Sequence, residues 1–118
     1  MCGINGIISK DKNKDKLIKS MNEKILHRGP DAEGIFVEGD VALGQRRLSI
    51  IDLAGGNQPI YNEDKSILIV YNGEVYNYKE LKEELTEYKF ETESDTEVVL
   101  HGYEKWGHDL PKKLRGMF

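Results

Sequence analysis

The sequence is short of several things at once, and each shortage excludes a class of protein. It holds one cysteine, Cys2. A single thiol cannot close an internal disulfide, so nothing calls for an oxidising compartment. No apolar run approaches the ~20 residues a helix needs to cross a bilayer. The opening MCGINGIISKDK has neither a basic leader nor a long apolar core, so no signal peptide is expected. A cytoplasmic location without a membrane partner follows as the expectation. Excess basic charge is missing too: 17 Lys and Arg face 21 Asp and Glu. The one dense basic run, Lys10 to Lys19, is broken by Asp11 and Asp15 and reads as solvated, so no nucleic-acid partner is expected. The histidines His27, His101 and His108 share no metal-ligand spacing with Cys2, and there is no second cysteine for a zinc site. His27 reads as part of a turn, and His101 and His108 as helix-surface or helix-end residues. Neither GxxxxGK[ST] nor GxGxxG occurs, so no metal and no cofactor is expected in this stretch.

What remains is a chain of 118 residues with mixed periodicities, enough for one domain. Cys2 to Ser9 suits a first strand. Leu17, Ile18, Met21, Ile25 and Leu26 recur at helical spacing over Lys14 to His27, and HRGPD (27–31) ends that helix. Strands are expected at Glu33–Glu38 and Val41–Ile50, joined through Gly39-Asp40. Asp52 to Asn62 is a loop, and Ser66 to Tyr71 (SILIVY) is the most strand-like segment of all. Asn77 is placed to cap a helix to about Tyr88, with Leu81 and Leu85 inward. Ser94-Asp95-Thr96-Glu97 has the form of a capping box opening a helix to about Trp106, and a last helical stretch is expected near Leu110–Leu114. The mixture implies an α+β layered domain. Arg115-Gly116-Met117-Phe118 looks like the entrance to a strand that the chain does not complete, which would leave an unpaired edge.

Four groups of residues could carry chemistry, and each also has a bland reading. A lone cysteine is often a small buried hydrophobe. Cys2, however, follows the initiator methionine, and removal of Met1 would give it a free α-amine. Such an amine titrates near ~8 and can serve as base to the thiol on the same residue. Gly3 beside it would let a substrate come close. Asn72-Gly73 can be a simple turn, or an amide side chain and an open N–H that cradle an oxyanion. Of Arg46 and Arg47, strand alternation allows one to enter a site and bind a carboxylate through its fork. Arg46 is expected to turn outward. Asp95 suits the first turn of a helix on electrostatic grounds alone, and it could equally hold an ammonium group.

Taken in order, Cys2-Gly3-Ile4-Asn5-Gly6, HRGPD (27–31), RRLSIID (46–52), GGNQPIYN (55–62), YNGEVYNY (71–78) and SDTE (94–97) resemble the N-terminal glutaminase domain of the asparagine synthetase family. The likeness runs along essentially the whole chain. It implies an N-terminal-nucleophile hydrolase fold, a four-layer α/β/β/α sandwich, here truncated at its C-terminal end within residues 1–118. It implies that Cys2 forms a glutamyl thioester, that Asn72 and Gly73 make the oxyanion hole, and that Arg47 binds the glutamine α-carboxylate. Leu48, Ser49, Ile50 and Ile51 would line the pocket by backbone, with Glu74 and Asp95 at the amino-acid head and Asp95 taking the ammonium. The implied partners are L-glutamine and a synthetase domain absent from this stretch, where ATP and magnesium would act, with a homodimer left open. Related amidotransferases that supply ammonia to a sugar or another carboxylate share these motifs. A non-catalytic fragment serving as an interaction module is the rival from another class.

Overall fold

Gly39, at φ +53°, turns the chain between two strands of seven residues, β2 (Ala32–Glu38) and β3 (Val41–Arg47). This is the hairpin expected at Gly39-Asp40, although β3 stops at Arg47, three residues short of Ile50. The computed structural model describes residues 2–50, 52 and 55–118. Within them the chain forms two compact units. One comprises residues 1–49, 57–59 and 70–72, and the other residues 50–56, 60–69 and 73–118.

In the first unit β1 (Gly3–Ile8) joins the far side of β3, giving the order β1-β3-β2 with both pairings antiparallel. Helix α1 (Lys14–Lys24) covers one face of this sheet, and its buried stripe is Lys14, Ile18 and Asn22, four residues apart. Asn22 Nδ2 donates to Glu33 Oε1 at 3.1 Å and to the Gly34 carbonyl at 3.3 Å, while its Oδ1 accepts from Asn5 Nδ2 at 2.9 Å. That polar seat decides the helix's rotation. Leu17, Met21 and Leu26, expected to face inward, are therefore 45%, 36% and 48% exposed. The α-helix stops at Lys24, and a 3-10 turn over Leu26–Arg28 completes the predicted stretch.

HRGPD works as a brace at the end of β3. A Cβ at Gly29 would lie 2.3 Å from the Arg46 carbonyl oxygen, so only glycine permits this approach. Asp31 N–H donates to the Arg47 carbonyl at 3.0 Å, and Asp31 Oδ2 accepts from Ser49 N–H at 2.7 Å.

In the second unit, β4 (Ile60–Tyr61) pairs with β5 (Leu68–Ile69), and β6 (Glu74–Val75) with β7 (Gly116–Met117). SILIVY thus pairs over two residues rather than six. Its end, from Val70, belongs to the first unit, where Tyr71 N–H donates to Gln58 Oε1 at 2.5 Å. Helix α2 (Tyr78–Glu84) ends before Tyr88 but buries Leu81 and Leu85 as its periodicity requires. Asn77 precedes it without capping it. Its side chain instead accepts from Arg115 N–H at 2.9 Å and donates to the Lys113 carbonyl at 3.0 Å.

Helix α3 (Asp95–Trp106) buries residues 95 to 102 all round. Ser94 Oγ caps it by accepting from Thr96 N–H at 3.2 Å, yet the reciprocal half of a capping box is missing. Glu97 turns its carboxylate to Glu91 N–H, Thr92 N–H and the Thr92 hydroxyl, while Ser94 N–H donates to Thr92 Oγ1. The stretch near Leu110 is a 3-10 helix, Gly107–Lys112, not an α-helix. At the end of the chain Gly116 and Met117 form the two-residue strand β7 against β6. Among the described residues no helix is long and apolar enough to cross a membrane.

Candidate functional site

Arg46 and Arg47 separate to opposite faces of β3, as alternation demands. Arg46 lies across from Glu33 in the register, and its Nε donates to the Gly29 carbonyl at 3.0 Å, with Nη1 at 3.6 Å from Glu33 Oε2. The expectation that it turns out to solvent is therefore corrected: its side chain is 12% exposed. The close contact of Gly29 with β3 places its carbonyl within reach of this guanidinium. Arg47, on the other face, is 4% exposed, and its Nη1 donates to Asn57 Oδ1 at 3.0 Å.

Cys2 stands beside it. The β1–β3 register pairs Gly3 with Arg46, and continuing one step sets Cys2 across from Arg47. Cys2 Sγ accepts from Leu48 N–H at 3.3 Å and lies 3.6 Å from the Leu48 carbonyl, and the residue is half-buried. The Cys2 carbonyl accepts from Arg28 Nε at 3.0 Å, which fixes the backbone that carries the thiol. A Cβ at Gly3 would come within 2.6 Å of Ile25 Cδ1, so its missing side chain accommodates the end of the α1 segment.

The remaining candidates divide between the units. Leu48 and Ser49 continue from β3 in the first unit, Ser49 held by Asp31, whereas Ile50 begins the second and is 59% exposed. Ile51 lies outside the described residues, as does Met1. Asn72 closes the first unit and Gly73 opens the second. The pair does not form a hairpin turn; the chain runs through it into β6, where Glu74 sits across from Met117.

Asp95 opens α3 at 6% exposure, and its Oδ2 accepts from Val75 N–H at 2.8 Å. The helix N-terminus around it favours a carboxylate. Burial nevertheless pushes its pKa above the ordinary value of 3.8, against the lowering pull of the Val75 and Thr96 N–H groups.

Two features were missed in the sequence. His101, read as a surface residue, is 1% exposed because α3 is buried all round at this level. It stacks on Tyr88 with ring centroids 4.9 Å apart, and its Nδ1 is 2.7 Å from Glu104 Oε2. Glu63, His101 and Glu104 bring three ligand atoms within 4.8 Å of one another. Glu104 is also held by Asn62 Nδ2 at 2.8 Å and Glu63 by Lys89 N–H at 3.3 Å, so the group ties α3 to its neighbours. The spacing Glu97-His101-Glu104 was the available signal. The second omission is Asn57-Gln58, within the noted GGNQPIYN motif, whose side chains reach Arg47 and Tyr71.

Residues 1–118 match the family model for the glutamine amidotransferase domain. The chain is 48% identical to the glutamine-hydrolyzing asparagine synthetase 1 of Bacillus subtilis, 45% to the corresponding enzyme of Asparagus officinalis and 42% to asparagine synthetase 1 of Arabidopsis thaliana. Each comparison covers all of this chain, which spans about a fifth of the length of these curated relatives.

Proposed function

This chain belongs to the glutamine amidotransferase domain family, and from that premise we propose that it hydrolyses L-glutamine to L-glutamate and ammonia through a thioester on Cys2. The observation that carries the reading is the position of Cys2, its sulfur at the Leu48 N–H, one residue along the chain from Arg47. A nucleophile and a carboxylate binder on one sheet face are what a free amino acid with a cleavable side chain requires.

In the reaction, removal of Met1 frees the α-amine of Cys2, which takes the thiol proton. The sulfur attacks the side-chain carbonyl carbon of glutamine, and the Asn72 amide and Gly73 N–H receive the developing oxyanion. Collapse of the tetrahedral intermediate breaks the C–N bond, and the nitrogen leaves as ammonia with the proton returned by the amine. Water then attacks the thioester, releasing glutamate and restoring the thiol. Arg47 binds the substrate α-carboxylate by its fork, Asp95 binds the ammonium beside Glu74, and the Leu48–Ile51 backbone lines the pocket.

The relatives' names support asparagine as the product of the whole protein. In this reading ammonia passes to a synthetase domain outside this stretch, where ATP and magnesium would serve the amidation of aspartate. The family membership and the antiparallel sheet with its single covering helix support the four-layer N-terminal-nucleophile arrangement. The test is direct. Protein whose intact mass lacks Met1, incubated with glutamine, should release glutamate and ammonia in equal amounts. No ammonia above the enzyme-free rate from such protein would reject the reading.

Asp95 gives this reaction a pH signature. Only its ionised form pairs with the substrate ammonium, and its raised pKa brings protonation to a higher pH than the ~3.9 of an unperturbed aspartate. The KM for glutamine should therefore climb as pH falls through the window just above that value. In the same window the contribution of Asp95 itself to folding stability should rise, because its folded form binds the proton more readily than its unfolded form, while Glu63, Asp64 and Glu87, whose pKa values are lowered, act the other way. KM measured across this range for wild type and Asp95→Asn checks the assignment: the variant should show a high KM without the climb.

A further inference from the structure

Asn57 and Gln58 are consecutive, and each spends its side chain on a segment that bears a different part of the proposed site. Asn57 Oδ1 accepts from Arg47 Nη1 at 3.0 Å, and Gln58 Oε1 accepts from Tyr71 N–H at 2.5 Å, one residue before Asn72. All of these residues lie in the first unit. The segment is pressed onto the sheet beneath. A Cβ at Gly34 would fall 1.7 Å from the Gln58 carbonyl oxygen and 3.1 Å from Pro59 Cδ, so the glycine lets these residues sit at a height no other residue would allow. Gln58 itself is 9% exposed. A loop held by two incidental hydrogen bonds would be the plain account of any one of these contacts. It does not explain why adjacent side chains divide between the carboxylate-binding arginine and the oxyanion segment.

Resting on the glutaminase reading above, we infer that Asn57 and Gln58 are positioning residues for glutamine hydrolysis, acting through Arg47 and Asn72 respectively. The chemistry of each fits its duty. A guanidinium offers five N–H donors in a fixed plane, and one of them given to Asn57 sets the orientation of that plane. Asn57 is a neutral acceptor, so it orients the cation without cancelling the charge that attracts the substrate carboxylate. Gln58 fixes a backbone N–H, and the Asn72 side chain that follows is held where the oxyanion forms. Preorganisation of a donor matters most in the transition state, whereas alignment of Arg47 matters to bound substrate and transition state alike.

The two residues should therefore fail differently. In the intact protein, Asn57→Ala should raise the KM for glutamine about tenfold with kcat within about twofold, the loss expected of one hydrogen bond to a charged group. Asn57→Asp should keep the wild-type unfolding temperature yet raise KM at least as much, because its carboxylate orients Arg47 while neutralising it. A merely structural role would let the aspartate restore KM. Gln58→Ala should lower kcat about tenfold and leave KM within about twofold, as loss of preorganisation at an oxyanion donor predicts. Asn57→Asp with a wild-type KM, or Gln58→Ala acting on KM and not on kcat, overturns the inference. Wild-type hydrolysis with both alanine variants unaffected defeats it alone, and no hydrolysis by wild type defeats it together with the glutaminase reading.

Discussion

Cys2→Ala should abolish glutamine hydrolysis and leave the fold in place. The thiol is half-buried and its protein contacts are with the Leu48 backbone at 3.3 and 3.6 Å, long hydrogen bonds to sulfur. Losing them should shift stability by no more than about 1 kcal/mol. The proposed chemistry has no such tolerance, since its thioester cannot form without the sulfur. Cys2→Ser should be almost as damaging, a hydroxyl being the weaker nucleophile at neutral pH. Ammonia release and thermal unfolding measured on the three proteins separate the two effects. Turnover in Cys2→Ala near the wild-type rate would end the nucleophile assignment.

The second large effect divides binding from chemistry. Arg47→Ala should raise the KM for glutamine by about a hundredfold, as two charged hydrogen bonds lost from bound substrate imply. Because Arg47 is 4% exposed and holds Asn57, the truncation also frees a packed segment, so Arg47→Lys is the informative partner. It keeps the charge without the fork and should restore only part of the affinity. Asn72→Ala should act on kcat instead, lowering it by about a hundredfold or more, as removal of an oxyanion donor does. Steady-state kinetics on all three decides the roles. Arg47→Ala lowering kcat alone, with Asn72→Ala raising KM alone, would exchange them.

The local rules that held were those whose cause is local. Gly39-Asp40 made its hairpin, and Arg46 and Arg47 parted to opposite faces of β3. Leu81 and Leu85 went inward, and Ser94 capped α3. Readings failed where a distant partner intervened. Asn22 took the inward stripe of α1 because Asn5, Glu33 and Gly34 offered it hydrogen bonds, which no helical periodicity records. Glu97 left its capping duty for the Glu91–Thr92 backbone, and Asn77 left its own for the Lys113–Arg115 segment. In the site, motif order identified Cys2, Arg47, Asn72 and Asp95 as candidates. The work of Asn57 and Gln58 was hidden because it depends on neighbours 10 and 13 residues away in the chain.

The pairing of β6 with β7 has a consequence in time. Among the described residues β6 has no other strand beside it, and the Asn77 side chain that secures this corner reaches partners 36 and 38 residues further on. Closing a loop of that length must precede any reward from the contacts it makes. During synthesis, Glu74 and Val75 are joined to the chain before Gly116 and Met117 exist to receive them. The β1–β3 pairing closes a stretch of similar length, Gly3 to Arg46, but both of its strands lie within the first 47 residues. The nascent chain thus holds both strands next to its thiol before it holds the partner of the strand that carries Glu74.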